Sequence, residues 1–382
     1  MLYFCRMMIA RTIQSKIETD LSRNKVQVLF GARQIGKTTL VENIFKTFEG
    51  RKLWLSADDS DVRELFINAT GTRLNQLFGG YDLLVIDEAQ RIENAGLALK
   101  IIADQVKSLH VIATGSSAFE LRDKIKESMT GRAIEYNLFP FWMQEMVEHT
   151  NLLEEKRLLE HRLIYGYYPE VVKNPGNEKQ ILKQISESIL YKDLYSLTQV
   201  KKPYLLEKVL QALALQLGNE VSYNELSNHI GADKETIERY IFLLEQAFVI
   251  FRLPSLSRNL RNEINKGRKI YFYDNGIRNI LINNFAPLHL RTDKGALWEN
   301  FLVTERLKKT TYEQLFCNRY FWRTRQQQEI DYIEDYAGVL NAYEFKYAAN
   351  SGKKVPLTFA KVYPKHEFSV VDSGNYENFI LG

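Results

Sequence analysis

At 382 residues, with a formal net charge of +4, 45% hydrophobic and 26% charged residues, the chain has the composition of an ordinary globular protein and length for roughly two to three domains. Cys5 and Cys317 lie too far apart in sequence to signal a disulfide framework or a zinc site, and no low-complexity tract or long repeat is present. The apolar start, Met1 to Ala10, is short and interrupted by Arg6, and no uninterrupted apolar run is long enough to span a membrane, so the expectation is a cytoplasmic chain with no membrane partner.

The first predicted strand, Val26 to Phe30, runs into Gly31-Ala32-Arg33-Gln34-Ile35-Gly36-Lys37-Thr38, which reads G-x-x-x-x-G-K-T. Two glycines let the backbone turn so that successive N–H groups face a phosphate. Lys37 neutralises the β- and γ-phosphates, Thr38 offers its hydroxyl to Mg²⁺, and a helix from Lys37 to Phe45 adds its positive end. The pattern predicts a nucleoside triphosphate site with Mg²⁺. Leu83 to Ile86 then form a continuous apolar run, as in a strand buried on both faces of a parallel sheet, and lead into Asp87 and Glu88. Carboxylates at that end stand where α/β proteins bind ligands, Asp87 for the metal and Glu88 for the attacking water. A third strand, Leu109 to Ala113, ends in Thr114-Gly115-Ser116-Ser117. A hydroxyl there either reports on the γ-phosphate or belongs to an ordinary turn. Arg132, after Gly131, reads equally as an arginine finger or a surface salt bridge, and Arg33 within the loop shares that ambiguity.

These segments carry a resemblance. From about Ile9 to Phe141 the chain looks like the AAA-type ATPase domain of many bacterial and archaeal proteins, through Gly31 to Thr39, Asp87-Glu88-Ala89-Gln90, Thr114-Gly115-Ser116-Ser117 and Gly131-Arg132. It continues through Gly166-Tyr167-Tyr168-Pro169-Glu170 and covers nearly the whole chain. The resemblance implies an α/β P-loop domain binding ATP–Mg²⁺, with Ser116 as the sensor and Arg132 as the phosphate-sensing arginine. It also implies a C-terminal domain similar to the PD-(D/E)xK nuclease fold. A homo-oligomer is an open expectation, since Arg132 serves either its own site or a neighbour's.

Leu205, Leu206, Val209, Leu210, Leu213 and Leu217 recur at helical spacing, and Gly218 closes that helix. Ser222 caps a helix through His229 with Glu225 at the capping-box position, Gly231 turns the chain, and Asp233 caps a helix from Lys234 to about Ala247. With the basic stretch Arg252, Arg258, Arg261, Lys266, Arg268 and Lys269, the order resembles a winged helix-turn-helix, which makes DNA the expected partner. In that reading Lys234, Thr236 and Arg239 face the groove; a packing or dimer interface is the equal alternative. The aromatic runs Tyr167-Tyr168 and Tyr271-Phe272-Tyr273 read as core before they read as base-stacking platforms.

In the last third, Glu299 lies on an amphipathic helix, Ala296 to Lys308. Asp331 follows Glu329-Ile330 on a strand-like segment beginning at Tyr320, and Val339 to Lys346 ends in Glu344-Phe345-Lys346. Residues two apart on a strand share a face, so Glu344 and Lys346 point into one site. Asp331 and Glu344 are expected to hold a divalent metal, with Lys346 orienting water. Glu299, Asp331 and Glu344/Lys346 match the helical acid, the central acid and the E-x-K of the PD-(D/E)xK pattern; a structural salt bridge is the alternative. The expected organisation is an ATPase domain (1–150), a helical linker region (151–202), a winged-helix-like domain (203–285) and a nuclease-like domain (286–382). The rival expectation is a nucleotide switch for a protein partner, with the C-terminal domain a non-catalytic docking module.

Overall fold

The structure, a computed structural model, describes residues 8–115, 129–195, 200–257, 267–349 and 352–382. It divides into two units, one on residues 1–141 with 188–196 and 246–248, the other on 142–187, 197–245 and 249–382. Among the described residues no helix is long and apolar enough to cross a membrane.

In the first unit, β1 (Val26–Phe30), β2 (Lys52–Ser56), β3 (Leu83–Asp87), β4 (His110–Gly115) and β5 (Ala133–Asn137) form a sheet in the order β2-β3-β4-β1-β5, every pairing parallel. The apolar runs in β1 and β3 are buried on both faces, as strands with helices above and below must be. The helix Lys37–Thr47 buries Leu40, Val41 and Ile44, and the helix Ala95–Gln105 buries Ala98, Leu99 and Ile102. Register brings the ends of these strands to one edge. Phe30 lies beside Gly115 and Ser56 beside Asp87, so the segments leaving β1, β3 and β4 emerge together. β4 extends past the expected end at Ala113 because Thr114 and Gly115 go on pairing with Leu29 and Phe30.

The second unit opens with short helices, Met143–His149, Leu152–Arg157, Leu159–Tyr165, Pro169–Lys173 and Glu178–Ser188. The order from Pro203 is helix Pro203–Leu215, β6 (Glu220–Val221), helices Tyr223–Ile230 and Lys234–Gln246, β7 (Ile250–Pro254) and β8 (Arg268–Phe272). The strands form an antiparallel sheet, β6-β8-β7. The caps sit where the residues place them. Ser222 Oγ accepts from the Glu225 N–H at 3.3 Å, Asp233 Oδ1 from the Thr236 N–H at 2.8 Å, and Gly231 ends its helix at φ +75°. Tyr167, Tyr168, Tyr271 and Phe272 are buried, so the aromatic runs belong to the core.

The chain then passes through the helix Asn275–Leu281 to the long helix Lys294–Tyr312 and a sheet of β9 (Asn318–Arg323), β10 (Glu329–Tyr336), β11 (Val339–Phe345) and β12 (His366–Val371), in the order β12-β11-β10-β9. The long helix outruns its expected end at Lys308 because Lys309 pairs with Glu313 and Tyr312 is buried. The segment expected to run as one strand from Tyr320 to Asp331 is a hairpin. Its polar stretch, Thr324 to Gln328, turns through a left-handed Gln327 at φ +63° and closes with Thr324 N–H to Gln328 O at 2.9 Å.

Gly166 and Asp274 fix one corner of this unit. Asp274 caps the helix Asn275–Leu281, accepting from the Ile277 N–H at 3.1 Å, and also accepts from the Tyr167 N–H at 2.6 Å. Gly166 sits at φ +75°, and a Cβ there would lie 2.0 Å from Asp274 Oδ1. Gly166→Ala is therefore expected to destabilise the protein by on the order of 3 kcal/mol, read from urea unfolding. Burial pushes the Asp274 carboxyl up from 3.8 to about 6, so its contribution to stability is complete below the lower value and is lost as pH rises through the upper. Unfolding midpoints measured across that window should fall with rising pH, and Asp274→Asn should flatten the slope.

Candidate functional site

The loop Gly31 to Thr38 leaves the C-terminal end of β1 in a shape that few side chains permit. A Cβ on Gly31 would meet the Leu138 carbonyl oxygen at 2.4 Å, and Gly36 stands at φ +91° as the cap of the helix Lys37–Thr47. Lys37 is buried, and its Nζ donates to the carbonyls of Gly31 and Ala32, each at 2.9 Å. Arg33 is half-buried, Gln34 and Thr39 are exposed, and Ala32 and Ile35 are buried. A residue that sequence reasoning missed supports the loop from behind. Arg11 is buried, its Nη1 donates to Ile35 O at 3.2 Å and its Nη2 to Phe139 O, and its guanidinium lies 4.8 Å from the Phe141 ring centre. Nothing in its surroundings marks it, because its partners are distant in sequence.

Across the edge, Asp87 Oδ2 accepts from Thr38 Oγ1 at 3.2 Å, although β4 lies between their strands. Asp87 Oδ1 accepts from the Thr114 hydroxyl, and Thr114 Oγ1 accepts from the Glu88 N–H at 3.1 Å. Glu88 turns the chain at φ +54° and takes the Gln90 amide on its carboxylate. Thr38, Asp87, Thr114 and Glu88 thus form one connected cluster. A hydroxyl and a carboxylate at this separation are hard oxygen donors of the kind Mg²⁺ takes. Thr114, fully buried, is the threonine of the Thr-Gly-Ser-Ser run that meets the acids; Ser116 and Ser117 lie outside the described residues.

Arg132 is elsewhere. It precedes Ala133, which pairs with Val26, at the opposite end of β1 from the loop. With a strand rise of about 3.3 Å per residue, the length of β1 separates the two. Its Nε pairs with Asp104 Oδ1 at 2.6 Å. Of the expected roles, its own chain's geometry fits the salt bridge rather than a finger on its own nucleotide.

The C-terminal acids do come together, but around an ammonium. Lys269 of β8 is 1% exposed, and its Nζ lies 2.8 Å from Glu299 Oε1, 2.6 Å from Glu329 Oε1 and 3.7 Å from Asp331 Oδ1. Tyr271 donates to the same Glu299 oxygen at 2.6 Å. Burial opposes the charge on Lys269, yet the Glu299, Asp331 and Glu329 carboxylates hold its pKa above the usual lysine value. Burial, with Glu299 beside it, pushes Asp331 up to about 7. Glu344 accepts from Lys346 at 2.7 Å and from Lys353. Among the described residues, no three His, Cys, Asp or Glu side chains are disposed to hold a metal ion. The expected metal set of Glu299, Asp331 and Glu344 therefore does not fit, because Lys269 and Lys346 already take up its carboxylates.

The described residues of the basic stretch are likewise spent within the protein. Arg252 pairs with Glu245 at 2.6 Å, Arg268 stacks 4.5 Å over the Tyr223 ring, and Lys269 is in the acidic centre. Arg258, Arg261 and Lys266 lie outside the described residues. On the helix Lys234–Gln246, Lys234 and Arg239 are exposed beside Glu235 and Glu238, while Thr236 is half-buried against its cap Asp233. That face is close to neutral.

Residues 23–147 match the AAA domain family model. That match spans the whole β1–β5 sheet and both of its functional segments, the loop after β1 and the acids at the end of β3. Residues 156–288 and 294–379 match two domains of unknown function, DUF8612 and DUF4143. An uncharacterized protein of Methanocaldococcus jannaschii is 25% identical over 352 residues, spanning 85% of this chain and 75% of its own. One of Haemophilus influenzae is 24% identical over 335 residues (81% and 79%), and one of Mycobacterium tuberculosis 25% over 352 (90% and 75%). Among solved structures, a DNA replication initiation factor is similar over 64% of this chain and 96% of its own, at 15% identity and a TM-score of 0.27. A Signal Transduction ATPase with Numerous Domains from Pyrococcus horikoshii is similar over 80% and 46%, at 10% identity and 0.31. These likenesses are too slight to bear on the AAA assignment.

Because Arg132 lies at the far end of β1, Arg132→Ala should leave the affinity of the dilute protein for a fluorescent ATP analogue within about twofold. A tenfold loss, about 1.4 kcal/mol, would return this arginine to its own site.

Proposed function

We propose that the protein is an ATP-hydrolysing switch whose second unit engages a partner without nuclease chemistry. The observation that carries the reading is the hydroxyl–carboxylate cluster in which Thr38 and Thr114 hold Asp87 while Thr114 also holds the Glu88 backbone. Lys37, released from the loop carbonyls, neutralises the β- and γ-phosphates, and the N–H groups of Gly31 to Thr39 cradle them. Thr38 and Asp87 would hold Mg²⁺, which when bound would supply positive charge against that developing on the transferred phosphoryl group. Glu88 orients and deprotonates the attacking water. Thr114 is a positioning residue, fixing the metal-binding acid and the backbone that aims Glu88.

Phosphate release and nucleotide affinity, measured together, test these roles. Lys37→Ala should lose affinity, whereas Glu88→Gln should keep it and lose turnover by about 10² or more. Thr114→Val should lower kcat by roughly tenfold to a hundredfold with little change in affinity, as misplaced catalytic groups do. Hydrolysis undiminished in Glu88→Gln would sink the reading.

The C-terminal domain supports the docking alternative to a nuclease, since its acids are neutralised by lysines of the same chain. One observation favours DNA as the partner. The order helix, β6, helix, helix, β7, β8, with sheet order β6-β8-β7, supports the winged helix-turn-helix reading, in which Lys234 and Arg239, exposed beside Glu235 and Glu238, lie on the third helix. Duplex affinity that falls steeply with salt, and about tenfold in Lys234→Ala/Arg239→Ala, would establish that partner. No duplex binding at low salt would leave a protein as the partner.

A further inference from the structure

We propose that the C-terminal acidic centre carries its own cation: the Lys269 ammonium takes the place of a divalent metal, making this domain a metal-independent ionic latch between β8 and the neighbouring helix and sheet. The inference rests on geometry within the second unit and is independent of the ATPase reading. Lys269 and Tyr271, two residues apart on β8, share a strand face, and both reach Glu299 Oε1, at 2.8 and 2.6 Å. The same ammonium reaches Glu329 at 2.6 Å and Asp331 at 3.7 Å on β10. An ammonium has three donors and no acceptor, so one lysine serves these carboxylates together.

The strands explain why a cation is needed. Tyr332 pairs with Tyr343 in the antiparallel β10–β11 ladder, which sets Asp331 opposite Glu344. Like charges in that relation are destabilising. Asp331 Oδ2 is tied to the Phe345 N–H at 2.8 Å, and Glu344 Oε2 is buried with no hydrogen-bond partner among the described residues. The carboxylates therefore stay together only beside positive charge, which Lys269 supplies on the Asp331 side and Lys346 and Lys353 on the Glu344 side. A divalent ion would have to shed water and settle at about 2.0–2.6 Å from several oxygens, against an ammonium already seated among them. Without Lys269, the buried Asp331 and Glu344, with the partly exposed Glu299 and Glu329 beside them, become a site for a hard divalent cation.

Mn²⁺ is the probe. Full-length protein carrying Asp87→Asn, which disables the N-terminal metal position, is titrated by electron paramagnetic resonance, and its Tm is followed with Mn²⁺ and with a chelator. With Lys269 intact, no Mn²⁺ binding and no Tm shift are expected. Lys269→Met in the same background should bind about one Mn²⁺, gain Tm on adding it, and lose both effects when Asp331→Asn is added. Mn²⁺ binding that depends on Asp331 in the Lys269-intact protein would overturn the proposal, whether or not Lys269→Met folds. A folded Lys269→Met that binds no Mn²⁺ would overturn it as well.

Discussion

The parallel register of β1, β3 and β4 is the constraint on which the nucleotide site depends. Pairing Phe30 with Gly115 and Ile86 with Ala113 brings the loop, the acids and Thr114 to one sheet edge, although the chain reaches them at widely separated points. A slip of one residue in β4 would carry Thr114 to the other face and leave Asp87 with the Thr38 hydroxyl alone. The buried apolar runs of β1 and β3 are thus part of the chemistry, since their packing sets where each strand stops. Arg11 reinforces the edge from below by joining the carbonyls of Ile35 and Phe139.

The second unit is organised by charges taken out of water. Besides the centre at Lys269, Arg162 pairs with a fully buried Glu155 at 2.8 Å, and Arg306 grips Glu334 with two hydrogen bonds of 2.8 and 2.7 Å. Arg278 and Arg291 converge on Asp293 and hold its carboxyl down near 2 despite partial burial. Buried pairs of this kind add little net stability over apolar packing, but breaking one by removing a single partner is costly. They specify which neighbours meet. That suits a unit built from many short helices, whose apolar faces alone would permit several packings.

Sequence made the local features legible and left the distant ones hidden. Gly31 to Thr38 and Asp87-Glu88 were readable because each is a short pattern beside a strand signal, and Ser222 and Asp233 because caps act on neighbours. Arg11 was not readable, since it acts on carbonyls far along the chain. Arg252, Arg268 and Lys269 read as one basic surface because charge counts carry no information on facing. A lysine two residues before a tyrosine within an apolar strand was the available hint that Lys269 points inward. The nuclease-like triad was legible as a cluster but not as chemistry, because the side chain that fills it comes from a strand assigned to another domain.

Glu88 carries one further consequence. It is a non-glycine residue held in left-handed backbone, at φ +54°, with its N–H tied to Thr114. Such a conformation costs on the order of 1 kcal/mol for an ordinary side chain and almost nothing for glycine. With Glu88 in the proposed role, folding stability and hydrolysis pull in opposite directions at this position. A search for thermostable variants of this chain would be drawn toward glycine at residue 88 and, in the proposed mechanism, would recover a sturdier protein that binds its nucleotide and keeps it.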